Sequence, residues 1–189
     1  MGRPSLAEQR QAEILEGFER CVLRDGIAHT TMTAIAKEIG CQRTLINHYF
    51  GGTDELVRAL VEKLTEDQRR EFREFSSASK KTGAALMVDY LFRRLPKGGN
   101  ALVRALRADG GSSANESLAK MYQDSARLLG TFLQREIPGA TPARCRATAT
   151  SIVCLAMSRF QLSALGVRDR ELAGLRASAE TLIDALESG

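Results

Sequence analysis

Five side chains within seven residues, Gln42, Arg43, Thr44, Asn47 and His48, can each donate or accept a hydrogen bond. Between them Ile46 and Tyr49 stand three apart, a spacing that gathers them on one side of a short helix and leaves the five polar groups on the other. Asn can bond both edge atoms of an adenine, and Arg both acceptors of a guanine. The pattern therefore suits the reading of base edges in a double helix. It does not suit bond-breaking chemistry. The chain has only two histidines, His29 and His48, and no nucleophile beside a base, so no enzyme is expected. Cys21, Cys41, Cys145 and Cys154 have no CxxC spacing and no neighbouring histidine pair, so neither a metal nor a cofactor is expected. Cys145 and Cys154 lie nine residues apart on one expected helix, roughly 13 Å along its axis, too far to bridge. Four reduced thiols, most of them core filler, are the expectation.

The polar face needs a second helix to hold it. Residues 32–51 read MTAIAKEIGCQRTLINHYFG. Ile35 and Ile39 share a face one turn apart, and Gly40 can take the left-handed conformation that turns the chain into the next helix. Ala36 is the small residue where the two helices approach. This is a helix-turn-helix pattern. Thr31 is the expected N-cap of its first helix, with Thr33 close behind. Both hydroxyls stand where backbone N–H groups suit a phosphate.

The 189 residues are 43% hydrophobic and 26% charged, with four prolines and no Trp, which favours an all-α protein. The net charge of +4 is unevenly spread. Residues 1–63 hold 8 Lys/Arg against 9 Asp/Glu, and residues 64–189 hold 19 against 14. Bulk charge thus gives the helix-turn-helix no support, and the motif must carry the case alone. No signal peptide or apolar run of membrane-spanning length is seen, so a soluble cytoplasmic protein with no membrane partner is expected.

Ser5 and Glu8 form a capping box opening the first helix, whose buried stripe is expected at Leu15, Phe18 and Val22, with Gly26 its stop. Gly51-Gly52 turns the chain, Thr53 caps a fourth helix, and Leu56, Val57, Leu60, Val61 and Leu64 close a small core with Phe18, Ile35 and Phe50. The charged run at 65–75 is the expected linker, dividing a domain at 1–64 from another at 76–189. After a loop at 76–83, helices are expected near 84–95 and 101–109. A third opens at a capping box of Ser113 and Glu116 and reaches Ile137. The next is capped by Thr141-Pro142 and ends at Gly166, and the last is capped by Asp169. About nine helices result.

Across residues 10–64, in IAKEIG, LINHYF and DEL, the chain resembles the TetR family of bacterial transcriptional regulators. The resemblance implies an N-terminal helix-turn-helix DNA-binding domain and a C-terminal helical ligand-binding and dimerisation domain. It further implies a homodimer on a palindromic operator in double-stranded DNA, acting as a repressor released by a small-molecule effector. Carried over by position, Gln42, Arg43, Thr44, Asn47 and His48 face the groove, and Thr31, Thr33 and Tyr49 touch phosphate. Two positions depart from the family. Asn47 stands where tyrosine is usual, and Thr53 where a lysine usually grips phosphate. The loss of that lysine predicts a shallow salt dependence.

In the C-terminal part, Ala147, Ser151, Leu155, Ser158 and Leu162 make a seam small enough for two helices to approach. Leu172, Leu175, Ala179, Leu182, Ile183 and Leu186 line the last helix. Two copies would bury these stripes as a four-helix bundle, with Ser151, Leu155, Ser158, Leu162, Leu175 and Leu182 at the dimer interface. Met87, Tyr90, Leu91, Met121, Ser125, Leu128 and Phe132 form an adaptable apolar set, a candidate pocket for an apolar effector. The competing reading is a helix-turn-helix-shaped module that binds protein rather than a specific DNA sequence.

Overall fold

A computed structural model describes residues 5–93, 99–109 and 111–188. Among these the chain is all helical, with no strand. Its helices are α1 (Leu6–Asp25), a 3-10 turn (Ile27–His29), α2 (Met32–Ile39), α3 (Arg43–Phe50), α4 (Thr53–Ala78), α5 (Gly83–Arg93), α6 (Gly99–Asp109), α7 (Gly111–Glu136), α8 (Pro142–Ala164) and α9 (Asp169–Glu187). By packing, the chain falls into two compact units. Met1–Asp67 with Lys97–Ala119 form one, and Gln68–Pro96 with Lys120–Gly189 the other. The sequence reading put everything beyond residue 76 in the second domain. In the structure α6 packs against α1 and the 3-10 turn, with Leu102, Val103 and Leu106 buried.

The first unit is sealed by Ile14, Phe18, Cys21 and Val22 of α1 and by Leu56, Val57, Leu60, Val61 and Leu64 of α4. Of the expected α1 stripe, Phe18 and Val22 are buried and Leu15 is not. Leu15 is half-buried, and Ile14 and Cys21 take the interior beside Phe18 and Val22. Phe50, expected in the core, is also only half-buried.

Helix starts follow the sequence at α1, where the Ser5–Glu8 capping box forms, and at α2 and α8, where the Thr31 and Thr141 hydroxyls accept from Ala34 N–H and Arg144 N–H. Three others start earlier than expected. The Leu56 amide bonds the Gly52 carbonyl, so Thr53 is the first residue of α4 rather than its cap. Asp54 and Glu55 in that first turn favour the positive helix end, which makes a capping hydroxyl dispensable. Arg168, paired with Glu171, occupies the cap of α9 in place of Asp169. α7 opens at Gly111, whose φ of 67° suits glycine, so Ser113 lies inside the helix. The loop expected from residue 76 begins later, because α4 continues through Ser76, Ser77 and Ala78. The Ser77 hydroxyl bonds back to the Glu74 carbonyl at 2.8 Å. Of the expected helix at 84–95, residues 94 and 95 lie outside the described residues.

In the second unit α8 and α9 pair closely, and α5 lies against both. Its core includes Met87, Val88, Leu91, Phe92, Leu129, Leu133, Ile152 and Ala179. Gly130 of α7 lets the backbone come close to α8. A Cβ there would stand 3.7 Å from the Ala149 Cβ, ordinary contact with no room to spare.

A candidate nucleic-acid interface

α2 ends at Gly40, left-handed at φ 68° and ψ 33°, and the Cys41 amide closes the turn on the Ala36 carbonyl at 2.9 Å. Gln42 supplies no side-chain cap to α3. The Leu45 amide reaches the Gln42 carbonyl instead, at 3.0 Å. Ile46 is fully buried and Ile35 nearly so, pinning the two helices to the first unit's core. This leaves Gln42, Arg43, Thr44, Asn47 and His48 all exposed on α3 and its approach. Cys41, Gln42, Thr44, Leu45 and His48 line one open hollow on that face. Tyr49 is half-buried, with the His48 ring edge-on to it at 5.2 Å. Thr31, Thr33 and Thr53 are exposed. The sequence-derived residues thus all remain accessible, and the one apolar side chain among them that must be hidden is hidden.

Two devices fix α2 against α1. The first was not anticipated from sequence. Gly17 sits where a Cβ would run into Cγ2 of Ile39, so α1 and α2 approach through a glycine. A glycine inside an otherwise regular helical pattern was the available signal, since it costs the helix about 1 kcal/mol relative to alanine and needs a packing reason. The second is electrostatic. Glu38 accepts from Arg24 at 2.8 Å and from Arg20 at 2.9 Å, and Arg24 also pairs with Asp25 at 2.9 Å. Hydrogen bonds from Arg24, then Arg20, hold the Glu38 carboxyl below its ordinary value, and Arg24 does the same for Asp25. The Arg24 guanidinium is correspondingly raised by hydrogen bonds to Asp25 and Glu38. On the other side of α1, Lys63 of α4 reaches Glu19 at 2.9 Å and Asp67 at 3.4 Å. Burial opposes the lysine's charge, but Glu19 and Asp67 outweigh it and raise its pKa.

Among the described residues no cluster of three or more His, Cys, Asp or Glu is placed to hold a metal ion. Burial pushes the Cys21 and Cys41 thiols up from their ordinary value. No described helix is long and apolar enough to cross a membrane.

The second unit distributes the remaining expected residues unevenly. Met87 and Leu91 are in its core with Phe132 packed against it, and Met121 is buried. Tyr90 is buried and donates its hydroxyl to the Gln68 carbonyl at 3.2 Å, while Ser125 donates to the Met121 carbonyl at 3.1 Å. Leu128 is 41% exposed, and Leu129 and Leu133 fill the interior in its place. Helical spacing along α7 fits either face, and the packing of Leu129 and Leu133 in the core selects the other one. On α8 and α9, Ser151, Ser158 and Leu162 are exposed and Leu155, Leu175 and Leu182 half-buried. Leu172, Ala179 and Leu186 occupy the inner face of α9.

Residues 14–60 match the family model described as bacterial regulatory proteins, tetR family. The HTH-type transcriptional regulator TtgR of Pseudomonas putida is 38% identical over 60 residues, 32% of this chain and 29% of its own length. The chain therefore aligns with less than a third of that curated relative. Solved structures agree over the whole length at low identity. A TetR-family transcriptional regulator from Cytophaga hutchinsonii superposes with a TM-score of 0.80 at 15% identity, covering 100% of both chains. GusR of Salmonella enterica gives 0.74 at 18%, covering 97% of this chain and 100% of its own. At such identities these two matches establish the fold alone.

Proposed function

We propose that this chain, whose residues 14–60 match the model of the tetR family of bacterial regulatory proteins, is a DNA-binding transcriptional regulator of that kind. In this reading it is a homodimeric repressor of a palindromic operator, released by a small apolar effector. The observation that carries the proposal is the division of α3, with Ile46 wholly buried and Gln42, Arg43, Thr44, Asn47 and His48 wholly outside. A helix so divided enters a major groove without unfolding anything. Thr31 and Thr33 at the start of α2, with Tyr49, Thr53 and the amides beside them, flank it with phosphate donors.

The dimer proposal is supported by the exposed Ser151, Ser158 and Leu162 on α8, beside the half-buried Leu155, Leu175 and Leu182. A seam of this kind is covered when two copies pair as a four-helix bundle. The effector proposal is supported by Met87, Leu91, Met121 and Phe132, flexible or apolar groups around α5 and α7 that can repack about a guest. Tyr90 and Ser125 are the polar handles, and Leu128 stands outside that interior.

Selection of bound duplexes from a random library tests the core of the reading. A single two-fold symmetric consensus is expected. Enrichment of no sequence would favour a module that binds protein through the same helices.

A further inference from the structure

Between residues 5 and 67 the described chain carries seven cations, and carboxylates hold five of them. Arg10 pairs with Glu13, Arg20 and Arg24 with Glu38, Arg58 with Glu55, and Lys63 with Glu19 and Asp67. Lys37 and Arg43 enter no ion pair among the described residues, and both are exposed. A cation with a carboxylate beside it presents a dipole to a distant phosphate, and a dipole's pull fades faster than that of a lone charge. The balance of 8 against 9 over residues 1–63 therefore conceals, among the described residues, two cations outside any ion pair, and both lie on the helix-turn-helix. Lys37 follows Thr33 by four residues on α2, so the two share a face. Its flexible stem and point charge suit a phosphate better than a base edge.

We propose that Lys37 contacts DNA phosphate, and that with Arg43 it supplies the cationic part of the binding surface within residues 5–67. This rests on the DNA-binding reading, but not on its sequence specificity, because phosphate contacts are independent of sequence.

The test uses the full chain and two duplexes, one of random sequence and one selected from a library. Affinity is measured by fluorescence anisotropy from about 50 to 200 mM salt, the range in which counterion release dominates. Lys37→Gln should flatten the slope of log affinity against log salt by about 0.9 per bound chain on both duplexes, and Lys37→Arg should restore it. A Lys37→Gln slope equal to wild type overturns the inference while leaving DNA binding intact, as does a loss confined to one base pair. Wild-type protein that binds neither duplex at low salt overturns both the inference and the proposed function. Binding of random duplex without any selected consensus removes only the sequence-specific regulator, and the Lys37 slope still decides the inference.

Discussion

The first unit keeps its charges outside, in arginine–carboxylate pairs that tie α1 to α2, whereas the second puts one inside. Asp89 of α5 is 4% exposed, held by Arg176 of α9 at 2.9 Å and by Lys81 at 3.4 Å. Exposed pairs contribute little each and can be rearranged by evolution as the facing surface changes. A buried carboxylate cannot be left without its partners, so it fixes which helices lie together. The first unit thus draws its definition from tight apolar contacts and a glycine, and the second adds an internal ion pair. On this account the outward face of α3 is free to diversify, while α5 and α9 are bound to each other.

Truncating one core residue in each unit breaks the comparison most sharply. Ile46→Ala and Leu133→Ala should each cost about 2–5 kcal/mol, read by urea unfolding, but only Ile46→Ala should also abolish operator affinity at temperatures where the protein stays folded. Loss of DNA binding by a folded Leu133→Ala protein would mean the units are not independent. Next comes Arg176→Ala, which removes from the buried Asp89 the nearer of its cations, Arg176 at 2.9 Å against Lys81 at 3.4 Å. A loss of about 3 kcal/mol is expected, and a neutral result would show that the acid is hydrated. Gly17→Ala should destabilise by about 1–3 kcal/mol through overpacking against Ile39, a loss that thermal unfolding would register. A stabilising outcome, the usual result of replacing an exposed helical glycine, would remove the close approach from the account.

Asn47→Ala is expected to cost about 1–3 kcal/mol of discrimination at one base pair per half-site, measured with single-substituted operators. A uniform loss across sequences would make Asn47 a structural residue. The smallest effect is that of pH on the α1–α2 clamp. Because the folded Glu38 carboxyl lies below its ordinary 4.5, its contribution is complete above that pH and disappears as pH falls through the lower folded value. Wild type and Glu38→Gln should therefore differ in melting temperature at neutral pH and converge as the pH falls well below the ordinary carboxylate range. A gap that persists in acid would assign the clamp to packing instead.

Much of the first unit was legible because its signals are local. The Ser5–Glu8 box, Thr31 and Gly40 each lie within a few residues of what they organise. The all-α class and the exposed face of α3 followed from them. What escaped was set by partners distant in sequence. Gly17 meets Ile39, α6 returns to α1, and α7 buries Leu129 and Leu133 while Leu128 faces out. Net charge misled for a related reason. Counting residues cannot tell a cation already matched by its neighbour from one left to act at a distance, and the ion pairs of α1 and α4 make that distinction for Lys37 and Arg43.

The start of α5 is likewise written far from itself. The Ala84 amide donates to the Glu136 carboxylate at 2.9 Å, across 52 residues, and Gly83 at φ 57° has no Cβ to obstruct that carboxylate. The bond that finishes the start of α5 is thus supplied by a residue 52 positions further along the chain, and a ribosome stalled short of Glu136 would display an α5 without it.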